Sequence, residues 1–226
     1  DKLKGQRGTW ENHWTEIAER VLPRYSTTFN SGDTSLTKGE KKTEKMFDST
    51  AALGLERFAA AMESMLTPRS SKWHRLQASD DYLNRDRETQ LWFEQANNVL
   101  FKARYAPNAN YASQQHESYM GLGAFGTGAV FVDSHDHGGL RYAAINLAEI
   151  LFDTNHQGII DTAYRKFKLT ARQMKQRLEL GRFKQIPVAA EKALETDPDK
   201  EFEIIHCIRP RAEVDPSKFD HRGMPF

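Results

Sequence analysis

Residues 155–173, NHQGIIDTAYRKFKLTARQ, decide the fold class, because two kinds of periodicity meet there. Residues 155–158 have the composition of a hairpin turn. The next residues, 159–169, alternate as one long strand does. Thr170 followed by Gln173 matches a capping box, which predicts a helix from there to about Leu180. The stretch therefore predicts an antiparallel strand pair that runs directly into a helix.

Short strands and helices continue on both sides of this stretch. The predicted strands are Ala129–Val132, Leu140–Ala143, Ile150–Phe152 and Phe202–Arg209, and a further helix is predicted near Pro187–Leu194. Gly138-Gly139 supplies the turn between the first two strands. The second half of the chain is thus predicted to be a small antiparallel sheet with helices.

The first half has helical spacing of its apolar residues instead. The predicted helices are Thr9–Val21, with Thr9 as N-cap and Pro23 as stop, Ser49–Leu66, with Asp48 as cap, Asp81–Tyr105 and Tyr111–Leu122. Residues 24–45 are polar and are predicted to form a loop. Helices followed by strands indicate the α+β class, with a helical part over 1–128 and an α+β part over 129–226.

Apolar side chains of two of these helices are candidates for the core. Core packing is favoured for Trp10 and Trp14, and the alternative is an aromatic surface that docks on a neighbouring subunit. In the third helix a stripe is predicted, widened by Trp92 and Leu100, along Leu83, Arg87, Leu91, Val99 and Ala103. The charged residues of that helix are expected to face solvent.

Composition excludes several classes of protein. The 32 Lys and Arg nearly balance the 31 Asp and Glu, and this net charge of +1 argues against a dedicated nucleic-acid-binding domain. The single cysteine, Cys207, excludes an internal disulfide and a cysteine-cluster zinc site. The longest apolar stretch, Ser118–Val132, is shorter than the about 20 residues that cross a bilayer, so no membrane partner is expected.

Gly121–Gly126, GLGAFG, has the G-x-G-x-x-G spacing of a dinucleotide-binding loop. That type of site requires a strand before the glycines and a helix after them. Here a predicted helix comes before and a predicted strand after. The glycines are therefore interpreted as a closely packed junction between the helix and the strand.

The remaining candidates for a metal-binding or catalytic site are weak. His135 and His137 would share one face of a strand and support a metal-dependent hydrolase as an alternative function. They lie beside a hairpin tip, however, and no further ligand follows at a diagnostic spacing. His206 and Cys207 are adjacent on a predicted strand and point to opposite faces, which argues against a catalytic pair. No catalytic, cofactor-binding or metal residue is therefore assigned, no cofactor is expected, and the protein is predicted not to be an enzyme.

A basic block over 165–184 is followed by an acidic block over 191–203. The two blocks could pair within one subunit or between identical subunits of a ring, or the basic block could be a solvated helix face. The basic block also leaves open another alternative function, a DNA-binding module that uses Arg172, Lys175 or Arg182.

Four stretches follow one another along the chain: VLPR at 21–24, FDSTAA at 47–52 with LTP at 66–68 and Trp73, FGTG at 125–128 before the apolar strand, and the 155–173 stretch quoted above. In this order they resemble the head-to-tail connector (portal) family of short-tailed bacteriophages. Arg69, where a second proline is expected, and His74, where an aromatic residue is expected, depart from the family's pattern.

The resemblance implies a structural portal subunit that joins a homo-oligomeric, dodecameric ring at one capsid vertex. It implies roles in packaging and ejecting double-stranded DNA, which passes without sequence-specific contact, and in tail attachment. The implied partners are terminase, capsid and scaffolding proteins and a tail adaptor; the implied location is the virion, after assembly in the cytoplasm of the bacterial host. The chain would be the N-terminal wing portion, with the stem, clip and crown not seen.

Overall fold

The computed structural model describes residues 2–25, 29, 43–136, 138–211 and 217. The helices are α1 Lys2–Val21, α2 Thr50–Leu66, α3 Arg87–Arg104, α4 Tyr111–Phe125, α5 Ala171–Glu179 and α6 Val188–Thr196. The strands are β1 Ala129–Ser134, β2 Leu140–Ile145, β3 Ile150–Thr154, β4 Ile160–Thr170 and β5 Glu201–Ile208. Short 3-10 turns lie at Pro23–Tyr25, Leu83–Arg85, Pro107–Ala109 and Leu147–Glu149. Helices and small antiparallel sheets confirm the predicted α+β class.

The chain divides into two compact units. The sheet unit comprises Asp1–Thr15, Tyr25–Glu40 and Ala148–Phe226, and the helical unit comprises Glu16–Arg24 and Lys41–Leu147. The predicted parts, 1–128 and 129–226, stay a prediction for the wing of the full-length protein. Most of the predicted loop at 24–45, including its lysine-rich run at 38–42, lies outside the described residues.

The sheet unit contains β3, β4 and β5 in that spatial order, with both strand pairs antiparallel. The predicted turn at 155–158 joins β3 to β4. The Asn155 side-chain oxygen accepts from the backbone N–H groups of Gln157 and Ile159, at 2.9 and 3.1 Å. Gly158 has a φ of +77°, which glycine adopts without steric cost. Local turn chemistry thus sets the β3–β4 hairpin.

The predicted capping box at Thr170 is present with both of its hydrogen bonds. The Thr170 hydroxyl accepts from the Gln173 backbone N–H at 3.3 Å, and the Gln173 side chain accepts from the Thr170 N–H at 3.0 Å. The helix that follows packs with α6 on one side of the sheet, burying Met174, Ile186 and Ala190. Leu169, Phe202 and Ile204 of the strands complete this core.

The first helix corrects two predictions. It begins at Lys2, so Thr9 is an interior residue and not the N-cap. An ion pair between Arg7 and Glu11, one helical turn apart and 2.7 Å long, spans the predicted start and supports the helix there. Trp10 is 61% exposed, so its predicted core packing is wrong.

In the helical unit, α2 packs against α4 through Leu55 and Ala59. The N-cap position of α2 is Ser49, but the predicted cap, Asp48, supplies the hydrogen bond. Its carboxylate accepts from the Thr50 N–H at 2.8 Å, which lowers the pKa of Asp48.

β1 and β2 form an antiparallel hairpin that turns, as predicted, at Gly138 and Gly139.

The third helix also departs from its prediction. It begins at Arg87, because the Asp86 carboxylate caps it by accepting from the Thr89 N–H at 2.8 Å. The predicted apolar stripe is wrong, since Leu91 and Val99 are 45% and 65% exposed. The buried side is centred on Asn97 instead. Periodicity alone could not show that a polar side chain would mark the inner face.

Candidate functional site

The glycine-rich segment is a packing joint between α2 and α4. A Cβ atom on Gly123 would lie 2.7 Å from side-chain atoms of both Leu55 and Phe58. Gly126 ends α4 with a φ of +74°, and its N–H donates to the Leu122 carbonyl at 2.9 Å. The glycines therefore let two helices touch and let the chain leave the second one.

Gly128, the residue just before β1, is packed just as closely against α4. A Cβ atom on Gly128 would lie 2.6 Å from the backbone oxygen and the hydroxyl oxygen of Ser118. The order is helix, glycines, strand, as predicted. It is the reverse of the order that a dinucleotide-binding loop requires.

The histidine pair of the hydrolase alternative is only partly visible. His135 follows β1, where its N–H donates to the Gly139 carbonyl within the hairpin tip. His137 lies outside the described residues. In the described part of the chain, no three His, Cys, Asp or Glu side chains are grouped as a metal site would require. The hydrolase alternative thus gains no support there.

His206 and Cys207 do not form a catalytic pair on one face of the sheet. The strand register places them opposite successive residues of β4, so their side chains point to opposite faces, as predicted.

The basic and acidic blocks meet within one subunit. Lys166 and Lys168 on β4 pair with Glu203 and Glu201 on β5, at 2.7 and 3.4 Å. Beyond the strands, Arg172 lies 3.9 Å from Asp199. Strand pairing therefore brings together charges that are far apart in sequence, and the intrasubunit alternative is the one that the structure shows.

Two of the three residues proposed for DNA contact, Arg172 and Lys175, lie beside carboxylates. Arg172 has its Asp199 partner, and Lys175 lies 4.0 Å from Glu179 on the same helix. Arg182 follows that helix, and its backbone N–H donates to the Arg177 backbone carbonyl at 2.9 Å, a bond that does not involve the charged side chain. Carboxylates beside the cations reduce the positive field that a phosphate backbone would meet. The DNA-binding alternative gains no support from this arrangement.

An aromatic cluster that sequence reasoning missed lies at the centre of the helical unit. Trp73 stacks on Tyr111 with ring centroids 6.1 Å apart, and Tyr142 meets Tyr111 edge-on at 4.8 Å. The Arg104 guanidinium lies 4.6 Å from the Trp73 centroid, and its Nε donates to the Tyr142 hydroxyl at 3.3 Å. Burial raises the pKa of Tyr111 to about 12, so its hydroxyl stays protonated.

Hydrogen bonds fix the same cluster to the end of α2. The Tyr105 hydroxyl accepts from the Trp73 indole N–H at 3.1 Å and donates to the Thr67 carbonyl at 3.0 Å. The Thr67 hydroxyl in turn contacts the Tyr119 hydroxyl at 3.1 Å. Thr67 of the Leu-Thr-Pro stretch and Trp73 therefore have a structural role, since their hydrogen bonds hold this cluster in place.

A cleft of about 490 Å³ lies between α3 and the extended segment before it, lined by His74, Arg75, Asn84, Gln90 and Glu94 among others. The Asn97 side chain accepts from the Leu76 N–H at 2.7 Å and donates to the Leu76 carbonyl at 3.1 Å, as a neighbouring strand would. Burial, followed by the Arg104 charge, lowers the pKa of His74. The imidazole is thus kept neutral beside a cation.

The exposed apolar side chains make a stronger feature than any cleft. In the sheet unit, Trp10 lies 6.2 Å from Trp14 between ring centroids and leaves most of its own surface uncovered. This exposure favours the predicted alternative, an aromatic docking surface. In the helical unit, Leu53 and Met65 of α2 and Trp92 and Val99 of α3 are each more than half exposed. Exposed apolar side chains that form a contiguous patch mark interaction surfaces.

No helix among the described residues has both the length and the apolar run needed to cross a bilayer. A packed α+β scaffold with exposed aromatic and aliphatic faces is typical of a subunit from a larger assembly. The chain belongs to the family of bacteriophage head-to-tail connecting proteins, whose sequence model matches residues 1–226.

Two curated relatives carry the name of portal protein. The chain is 29% identical over 225 residues to a probable portal protein of Bordetella phage BPP-1. It is 25% identical over 230 residues to a portal protein of Salmonella phage epsilon15. Both matches cover 100% of this chain but 39% of the relative, so the chain spans well under half the length of the proteins it matches. The predicted family is thereby confirmed.

Proposed function

We propose that this chain is the N-terminal wing portion of a portal subunit, which joins a closed ring at one vertex of a phage capsid. In this role it takes part in packaging and ejecting viral DNA and in attaching the tail. The observation that carries the proposal is the family match over residues 1–226. The names of the two portal relatives support it.

The proposed ring is a dodecameric homo-oligomer. Its proposed partners are the terminase, the capsid and scaffolding proteins and the tail adaptor, and its place is the virion after assembly in the host cytoplasm. The exposed apolar faces of α2 and α3 support an assembly role, because isolated soluble domains seldom leave so many large side chains uncovered.

The proposed relation to DNA is passage without tight binding. The balanced composition and the ion pairs of Lys166, Lys168 and Arg172 support it. A channel whose cations are mostly paired with carboxylates displaces few counterions from DNA. It therefore binds duplex DNA weakly. The scaffold is proposed to act without catalysis, and the ATP-driven step belongs to the terminase.

A conditional stop codon in the phage gene tests this proposal. Infection of a non-suppressing host is expected to yield capsids without DNA and without tails, whereas a suppressing host yields filled, tailed particles. Electron microscopy and the DNA content of purified particles distinguish the two results. Filled heads in the absence of the protein would overturn the proposed function.

A further inference from the structure

We infer that the exposed face of α3 in one copy of this chain packs against the exposed face of α2 in the next copy around the ring. This inference rests on the proposed function, since it names the surfaces through which the proposed ring closes. Cyclic rings need heterologous contacts, in which two different faces of the same chain meet. The helical unit carries two faces whose properties complement each other.

The face offered by α3 has two large apolar side chains at its centre, an acidic residue at its start and a basic residue at its end. Glu88, Trp92, Gln95, Val99 and Lys102 recur at spacings of three and four on the side opposite Asn97, and all are exposed. Trp92 is 61% exposed and is braced by an edge-on contact with Phe93, with centroids 4.9 Å apart. A braced aromatic side chain loses little conformational freedom on binding, as is typical of interface anchors.

The face offered by α2 is small and flat. Gly54, Arg57, Ala61 and Ser64 lie on the side opposite Leu55 and Ala59, and all four are exposed. A Cβ atom on Gly54 would meet no other atom within 4 Å. Exposed Leu53 and Met65 flank the patch, at 54% and 77%. A helix that is apolar on nearly all sides is normally covered on all sides.

Charge gives the two faces opposite signs where they would meet. Within α2 the two glutamates, Glu56 and Glu63, both contact His116 of α4, each at 3.2 Å. Arg57 is therefore the charged residue left on the outer side. Neither Arg57 nor Glu88 has an ion-pair partner among the described residues. Trp92 lies one helical turn after Glu88, just as Ala61 lies one turn after Arg57, so the aromatic ring can meet the small residue when the charges pair.

Photo-crosslinking in the full-length protein tests the contact directly. Trp92 is replaced by the photoreactive residue p-benzoylphenylalanine, the rings are irradiated, and the crosslinked peptides are identified by mass spectrometry. The expected result is a ladder of covalent oligomers in which position 92 is joined to residues 50–66 of another copy. The same replacement at Val132, which is 51% exposed on β1, is the control and should not label residues 50–66.

Charge exchange gives a second, independent measurement. Arg57→Glu and Glu88→Arg alone are each expected to reduce the fraction of protein in rings several-fold, and the double variant is expected to restore it. Arg87→Glu, which reverses the charge next to Glu88, is the control and should leave assembly unchanged.

The outcomes separate the inference from the proposed function. Intact wild-type rings whose position 92 crosslinks to other residues, or whose double variant fails to recover, would overturn the inference and leave the ring in place. A wild-type protein that forms no rings would contradict the proposed function itself.

Discussion

Lys166 on β4 and Glu203 on β5 form an ion pair in which Nζ and Oε2 are 2.7 Å apart. Their side chains are 47% and 50% exposed, so the pair itself adds little to stability. Its importance is electrostatic. The acidic block of the sequence folds back onto the basic block, and the subunit presents a mixed surface there.

Binding to duplex DNA should therefore not depend on the basic block. We expect the triple variant Arg172→Gln, Lys175→Gln and Arg182→Gln to keep the wild-type salt dependence of DNA binding, measured by titration at several salt concentrations. If the three residues contacted phosphates, the log–log slope would fall by about 0.9 for each contact. A fall of that size would show that the carboxylates do not neutralise these cations.

Glycine replacements should have opposite effects at two positions. Gly128→Ala is expected to destabilise the fold by about 1–3 kcal/mol, because the new methyl group would meet the Ser118 carbonyl at 2.6 Å. Gly54→Ala should stabilise it by about 0.5–1 kcal/mol, since the site is open and alanine favours the helix. Urea unfolding measures both, and equal effects would be inconsistent with the close packing of Gly128 on α4.

The capping box at Thr170 gives a local prediction. Thr170→Ala removes the acceptor for the Gln173 N–H and should cost about 1 kcal/mol of unfolding free energy. Thr170→Ser keeps the hydroxyl and is expected to retain most of the stability. Urea titrations of the three proteins make the comparison, and a serine variant as weak as the alanine variant would exclude the capping explanation.

Asn97 should be among the most sensitive polar positions of the helical unit. Asn97→Ala leaves the Leu76 N–H and carbonyl without their partner, and we expect a loss of about 1–3 kcal/mol. The neighbouring Asn98→Ala serves as the matched control, with an expected change within about 0.5 kcal/mol. Thermal and urea unfolding measure both losses, and an equal loss for the two variants would contradict this role of the Asn97 amide.

Protonation of His74 should lower the free energy of unfolding in mild acid. Burial and then Arg104 hold its pKa below the ordinary 6.5, so the unfolded chain binds the proton more readily than the folded chain. The stability contributed by the neutral ring is full above pH 6.5 and is lost as pH falls through the lower, folded pKa. Urea unfolding over a series of pH values from neutral to mildly acidic should show a smaller loss for His74→Gln than for the wild type. An identical pH dependence would rule out this role.

Sequence predicted the parts of the fold that local chemistry sets. The turn at Gly158 and the capping box at Thr170 depend on residues at most a few positions apart, and both are confirmed. The inner face of α3 depends on Asn97 binding Leu76, which is 21 residues away, so helical spacing alone gave the wrong face.

For the candidate site, the sequence predicted the protein family but not which side chains come together. Motifs in order identified the family, whereas the aromatic cluster joins Trp73, Arg104 and Tyr142 from separate segments whose contacts no local pattern encodes. Trp10 was predicted to be buried because an apolar stripe normally faces a core. Its 61% exposure shows that this end of the stripe does not pack on the core of the subunit.

The proposed function requires that this protein forms a ring. Electron microscopy of the full-length protein, purified without other phage components, tests it most directly. We expect closed rings with a central hole and one subunit count. A strictly monomeric protein at micromolar concentration would contradict the claim.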